Sequence, residues 1–166
     1  MAFRPTKSIL TVLDDDMKET PLEQKIASRM QPGVITLSGF LGEDSRHFHE
    51  IIEDDEKSLA GLGKTPEEIA DRMQYFTDKS WDSFEQEIIL EDIYRVETDV
   101  VRGRLTCPFS HPGGYRKAIT ILTNTRLGIT IQWSSLNLHM IKEHHFFEGK
   151  GSPFRLEPED LVRALF

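Results

Sequence analysis

The chain has 166 residues and a formal net charge of -8, with 20 Lys and Arg against 28 Asp and Glu. This balance repels nucleic-acid phosphates, so nucleic acid is not expected as a partner. No apolar run approaches the roughly 20 residues that span a bilayer, so no membrane association is expected. The lone cysteine, Cys107, fits a reducing compartment. The sequence therefore predicts a soluble cytoplasmic protein.

Capping patterns predict three helices in the N-terminal half. Hydroxyl or acidic residues can open each helix, and apolar residues at helical spacing follow them. Glycine or proline closes the first two helices. The predicted N-caps are Thr20, then Asp44 or Ser45, then Thr65.

Two short apolar runs lie outside these helices. Residues 9–13 alternate loosely before three consecutive aspartates, which is typical of an edge strand or a loose arm. Residues 34–37 predict a brief strand before the turn at Gly39.

The C-terminal half changes to the period of a β-strand. Residues 94–100 alternate between apolar and polar, and two further β-rich runs at 117–123 and 129–133 predict a hairpin. Ser134 or Ser135 can cap a following helix that reaches about His144. A last helix is predicted to begin at Pro158.

These elements predict a single α+β domain over residues 1–166. A helical N-terminal half packs with a small antiparallel sheet and a C-terminal β-hairpin-helix (ββα-like) element. A sub-boundary near residues 80–85 is the alternative, although it leaves two pieces that are each small for an independent core.

Four potential metal ligands fall in two short groups within residues 105–148. Cys107 and His111 precede the predicted hairpin, and His139 and His144 lie on the helix that follows it. Zinc takes about four nitrogen or sulfur ligands in a tetrahedron. The order of turn, hairpin and helix resembles that of ββα zinc fingers, although the gap between His111 and His139 is longer than in a compact finger. The sequence predicts a zinc site.

The fourth ligand is ambiguous. On an ideal helix His144 lies about 140° around the axis from His139, so both face one ion only if the helix frays or tightens near its end. Glu143 lies one turn after His139 on the same face. His145 lies about 120° away on the other side. Glu143 and His145 are therefore the alternates to His144.

Other interpretations of these residues remain open. Cys107 can instead be a small buried hydrophobe, with the histidines serving hydrogen bonds and the helix dipole. Cys107 can also be a nucleophile with a histidine base, although spacing does not show contact.

A glycine-rich segment follows the histidines. It contains Lys150, Ser152 and Arg155, whose cations and backbone N–H groups predict a possible anion-binding loop. The alternative is a glycine turn packed against the core by Phe147 and Phe154.

Three functional hypotheses follow. The first is a binding or scaffolding protein with a structural zinc site. The second is a metal-dependent hydrolase with an open coordination position and Glu143 or His145 as general base. The third is a metal-free module that associates with itself. An unidentified protein or a second copy is the expected partner.

Overall fold

The computed structural model describes residues 19–166. Within this range there are five helices and one four-stranded antiparallel sheet, which confirms the α+β class. The helices are α1 (Pro21–Arg29), α2 (Phe48–Gly61), α3 (Pro66–Ser80), α4 (Ser135–His144) and α5 (Pro158–Leu165). The strands are β1 (Ile88–Leu90), β2 (Tyr94–Leu105), β3 (Tyr115–Asn124) and β4 (Ile129–Ser134).

Capping residues fix where the N-terminal helices begin. The Thr20 hydroxyl accepts a hydrogen bond from the backbone N–H of Glu23 at 3.2 Å, and Thr65 caps α3 in the same way. The predicted cap of α2 at Asp44 or Ser45 is wrong, because His47 caps this helix through Nδ1. Asp44 instead accepts hydrogen bonds from the guanidinium of Arg46.

The apolar run at residues 34–37 does not form a strand. These residues lie in turns and bends, so the predicted strand is wrong. The Gly33 N–H donates to Thr36 O at 2.8 Å and closes a tight turn within this segment. The run at residues 9–13 lies outside the described range.

The strands follow one another in the sheet in sequence order, β1-β2-β3-β4. The hairpin between β3 and β4 is confirmed, with Gly128 at a φ of 68°. β4 pairs with β3 only as far as Ser134 opposite Ile119, where the chain enters α4. The Ser134 hydroxyl caps α4 by accepting from the Asn137 N–H at 3.0 Å. Residues 115–118 of β3 therefore have only β2 as a strand neighbour in the described part of the chain, with a register shift opposite Lys117.

Two clusters of buried side chains form the core. The larger one joins α3, α4 and α5 to the sheet around Trp133 and Phe76, and it draws on residues before and after the 80–85 segment. The smaller one brings α1, α2 and α4 together around Cys107, Phe48 and Met140. This second cluster places the loop after β2 against α4. Among the described residues, no helix is long and apolar enough to cross a bilayer.

Candidate metal centre

The four potential ligands lie together. Cys107 and His111 belong to the connection between β2 and β3, residues 106–114, and His139 and His144 belong to α4. One donor atom from each residue lies within 4.8 Å of the others. Cys107 is buried and the three histidines are partly buried. This arrangement is compatible with a metal site.

The three imidazoles approach one another through their Nε2 atoms. His111 Nε2 lies 2.9 Å from His139 Nε2 and 3.1 Å from His144 Nε2. Two nitrogens bound to one tetrahedral zinc ion are separated by about 3.3 Å, so small shifts of the rings would fit an ion between them. Only one hydrogen bond can form to the Nε2 lone pair of His111. The other Nε2 lone pairs of this group then face one another unless a cation binds between them.

The turn that carries Cys107 is anchored from two sides. The Ser110 N–H donates to Cys107 O at 3.4 Å, and Ser110 has a φ of 63° as the chain reverses. Arg29 at the end of α1 donates from Nη2 to Cys107 O at 2.9 Å and to Thr106 Oγ1 at 3.2 Å. These contacts hold the sulfur in place against α4.

The last turn of α4 brings His139 and His144 together. The His145 N–H reaches the carbonyls of both Ile141 and Met140, and the Phe146 N–H donates to Met140 O at 3.1 Å. His145 adopts a left-handed conformation with a φ of 55°, so these bonds close the C-terminal end of the helix. α4 is an α-helix as far as His144. His139 and His144 nevertheless both bring their Nε2 atoms to His111 Nε2.

Two aromatic rings pack on the imidazoles. Phe109 stacks on His144 with 4.1 Å between centroids, and Tyr115 stacks on His139 at 4.0 Å. His111 is oriented by a backbone contact, since its Nδ1 lies 3.1 Å from Pro112 O. An Nδ1–H that donates to this carbonyl leaves the Nε2 lone pair free for a metal.

Burial sets the protonation of the ligands. It lowers the pKa of His139 and His144 to about 4, with a further contribution from the neighbouring histidines. Both imidazoles are therefore neutral and able to ligate near neutral pH. Burial raises the pKa of Cys107 to about 11 in the absence of an ion. A metal that binds this sulfur must displace the thiol proton.

The two alternates of His144 lie in different surroundings. His145 projects to α2 and α3, where its Nδ1 lies 2.7 Å from Glu56 and its Nε2 lies 2.7 Å from Glu67. These carboxylates raise the pKa of His145 against the opposing effect of burial. Glu143 borders a surface cavity next to His139 and is not one of the four converging residues.

The predicted anion-binding residues contact carboxylates within the chain. Arg155 binds Asp55 through Nη2 at 2.8 Å and Glu157 at 3.1 Å. The Ser152 hydroxyl donates to Glu148 at 2.7 Å. The Lys150 backbone N–H donates to Asp44 at 3.2 Å. Anion binding by this loop stays a prediction, and these contacts give the segment a structural role.

Sequence reasoning missed the side chains that orient the ligands. Phe109 lies between Cys107 and His111 in the chain, so its position in the sequence could have indicated that it packs next to the ligands. Arg29 and Tyr115 carry no such signal, because their contacts depend on the packing of α1 and β3.

The chain was compared with protein-family models, curated proteins and solved structures, and none of them matches.

Proposed function

We propose that the protein binds one zinc ion through Cys107, His111, His139 and His144, and that this ion stabilises a protein whose role is binding or scaffolding. The observation that carries the proposal is the convergence of one donor atom from each residue within 4.8 Å. The expected partner is another protein or a second copy of this chain.

The chemistry of the donor set favours zinc. One sulfur and three imidazole nitrogens suit a borderline-soft divalent ion, whereas calcium and magnesium prefer oxygen. Four protein ligands fill a tetrahedral shell and leave no position for a reactive water, which is typical of structural zinc.

A structural ion has a clear task in this fold. The 106–114 connection has no helix or strand of its own, yet it supplies Cys107 and His111. The other two ligands come from α4, which packs on α3 and β3. An ion at this point would tie the connection to the helix, and its binding energy would add to the stability of the fold.

Elemental analysis of the purified protein tests the proposal. We expect about one zinc per chain and a lower Tm after treatment with a chelator. Cys107→Ser and His139→Ala should lose the metal. His49→Ala is the matched control, because the exposed His49 imidazole pairs with Glu23 at 2.6 Å, away from the ligands. Absence of metal together with an unchanged Tm in chelator would reject the proposal, and a metal-free dimer would then support the self-associating module.

A second candidate is a metal-dependent hydrolase. It is favoured by a cavity of about 570 Å³ beside the ligands, bordered by His139, Glu143 and Tyr115. In this case the three imidazoles would hold the ion and leave one position open while Cys107 remains a thiol, and Glu143 would serve as the general base. His145 is a poorer base for this purpose because Glu56 and Glu67 engage both of its nitrogens.

Cobalt substitution separates the two candidates. A cobalt-loaded protein with a thiolate-to-cobalt charge-transfer band has Cys107 bound, which supports the closed structural site. A spectrum without this band, together with metal-dependent hydrolysis of an activated ester that Glu143→Gln abolishes, would support the hydrolase instead.

A further inference from the structure

A second cavity lies where β4 passes into α4, and it is separate from the ligand cluster. It has a volume of about 290 Å³ and is enclosed by residues 36–40, the first half of β3 and the loop at 148–154. Ligand pockets measure about 300–1,000 Å³, so this cavity suits a small molecule. Its walls are mainly apolar, formed by Phe40, Leu105, Ala118, Leu136, Met140 and Phe154.

The topology of the sheet explains why the cavity exists. β4 leaves β3 at the pair Ile119 and Ser134, because the chain continues there as α4 and not as a strand. Residues 115–118 of β3 then have no strand neighbour on that side within the described part of the chain. Since side chains from the 36–40 and 148–154 segments cover this gap without filling it, an apolar space remains.

The border of the cavity carries positive charge. Arg116 and Lys117 both line it, and both are exposed. As consecutive residues of β3 they leave the strand on opposite faces, so they reach the border from two sides. The ion pairs within the described part of the chain are formed by other arginines and lysines. Arg102 and Arg104 lie beside Arg116 at the same end of the β2–β3 ribbon. A chain with a net charge of -8 therefore has a local basic group beside an apolar cavity.

The acidic residue in the cavity wall, Glu148, repels a bound anion only weakly. Glu148 is 3% exposed, and its carboxylate accepts hydrogen bonds from Asn137 and from Ser152. Both oxygens thus have partners within the protein. Burial also raises the pKa of this carboxyl to about 7, so a substantial fraction is uncharged near neutral pH.

We propose that this cavity binds a small amphipathic carboxylate of the fatty-acid class. The alkyl chain lies among Leu136, Met140 and Phe154, and the carboxylate lies at the border with Arg116 and Lys117. Apolar walls with a few convergent polar groups are typical of small-molecule sites. The charge at the border selects an anion over a neutral or cationic molecule of the same length. The proposal does not depend on the metal.

A titration observed at the methionine methyl groups tests it. Decanoate, decanol and decylamine are added separately to the protein carrying ¹³C-labelled methionine methyls. The Met140 methyl borders the cavity and should shift saturably with decanoate, whereas Met73 lies in the other core cluster and should not. Decanoate should bind about tenfold more tightly than decanol, the difference expected from contacts with two exposed charges.

The double variant Arg116→Gln and Lys117→Gln isolates the role of the charge. We expect it to bind decanoate about tenfold more weakly and decanol unchanged. The matched control, Lys57→Gln with Arg126→Gln, removes the same charge from exposed sites away from the cavity and should bind as the wild type does.

Three results would overturn the proposal. The first is that the Met140 methyl does not respond saturably to decanoate. The second is that either decanol or decylamine binds at least as tightly as decanoate. The third is that the double variant binds decanoate like the wild type. The comparison of the three probes uses the unmodified protein, so it stands even if a variant is unstable.

Discussion

The Phe109 ring lies parallel to the His144 imidazole, with 4.1 Å between the centroids and 6° between the planes. Phe109 also packs edge-on against Phe48 and Phe146, at 5.7 and 5.6 Å. The aromatic ring is therefore fixed by the core on two sides and presents its face to the imidazole. This packing restricts the rotation of His144 and keeps its Nε2 directed at His111.

Phe109→Ala should weaken the affinity of the proposed zinc site by about tenfold, because losing a residue that orients a ligand typically costs 10–100-fold in affinity. Competition with a chromophoric chelator measures the change. Phe84→Ala is the control, since Phe84 is 88% exposed and should leave the affinity unaltered. Equal affinities for the wild type and Phe109→Ala would show that the stacking does not position the ligand.

A buried chain of hydroxyls connects α3 to the sheet. The Trp133 Nε1–H donates to Thr77 Oγ1 at 2.9 Å, and Thr77 also bonds to Thr120 at 3.0 Å. Thr77→Val keeps the shape of the side chain but leaves the indole N–H without an acceptor. We expect a loss of about 1–3 kcal/mol in the free energy of unfolding, measured by urea denaturation.

The sheet offers a matched control for this substitution. Thr123 and Thr130 form a comparable hydroxyl pair at 2.9 Å, but on the exposed face. Thr123→Val should change the free energy of unfolding by less than about 0.5 kcal/mol. Similar losses for Thr77→Val and Thr123→Val would contradict the importance assigned to the buried network.

The parts of the fold governed by local chemistry were predictable. Thr20 and Thr65 each precede a proline and a glutamate at the spacing of a capping box, and both cap helices as expected. His47 also builds a capping box, but through an imidazole nitrogen, which the usual preference for hydroxyl and carboxylate caps does not anticipate. β1 has only three residues and is too short to show a period.

The candidate site was predictable only in part. The grouping of Cys107 with His111, and of His139 with His144, is visible in the spacing of the sequence. Convergence of the two groups depends on the packing of the 106–114 connection against α4, which spacing in the sequence does not reveal. Ideal helical geometry argues against the pairing of His139 and His144 because it considers only the direction of each residue from the helix axis. The ends of the two imidazoles nevertheless reach one point, 2.9 and 3.1 Å from His111 Nε2.

Two glycines should respond in opposite ways to alanine. A Cβ at Gly149 would lie 2.2 Å from Leu41 O, whereas a Cβ at Gly61 meets nothing within 4 Å. Gly149 donates its N–H to Phe40 O at 2.8 Å, so a shift there also breaks a backbone hydrogen bond. Gly149→Ala should destabilise the protein by about 2 kcal/mol or more.

Gly61→Ala is the control for replacing a glycine with alanine where the added Cβ meets no neighbouring atom. It adds a better helix former at the end of α2 and should raise the free energy of unfolding by about 0.5–1 kcal/mol. Thermal denaturation of both variants measures the difference. A Gly149→Ala protein as stable as the wild type would show that the contact with Leu41 relaxes at little cost.

Glu148 should make stability depend on pH. Burial raises its pKa from 4.5 to about 7, although the hydrogen bonds from Ser152 and Asn137 oppose the shift. Between these two values the folded protein keeps a proton that the unfolded chain releases. The contribution of Glu148 to the free energy of unfolding therefore falls as the pH rises from about 4.5 to about 7, and is constant above that.

Glu148→Gln removes this titration and keeps a side chain that can bond to Asn137 and Ser152. As the pH rises from about 5 to about 8, the free energy of unfolding of the variant should increase by about 1–3 kcal/mol relative to that of the wild type. Urea denaturation of both proteins across this range isolates the effect, because other titrating groups contribute equally to each profile. Parallel profiles for the two proteins would mean that the Glu148 carboxyl titrates alike in the folded and unfolded states.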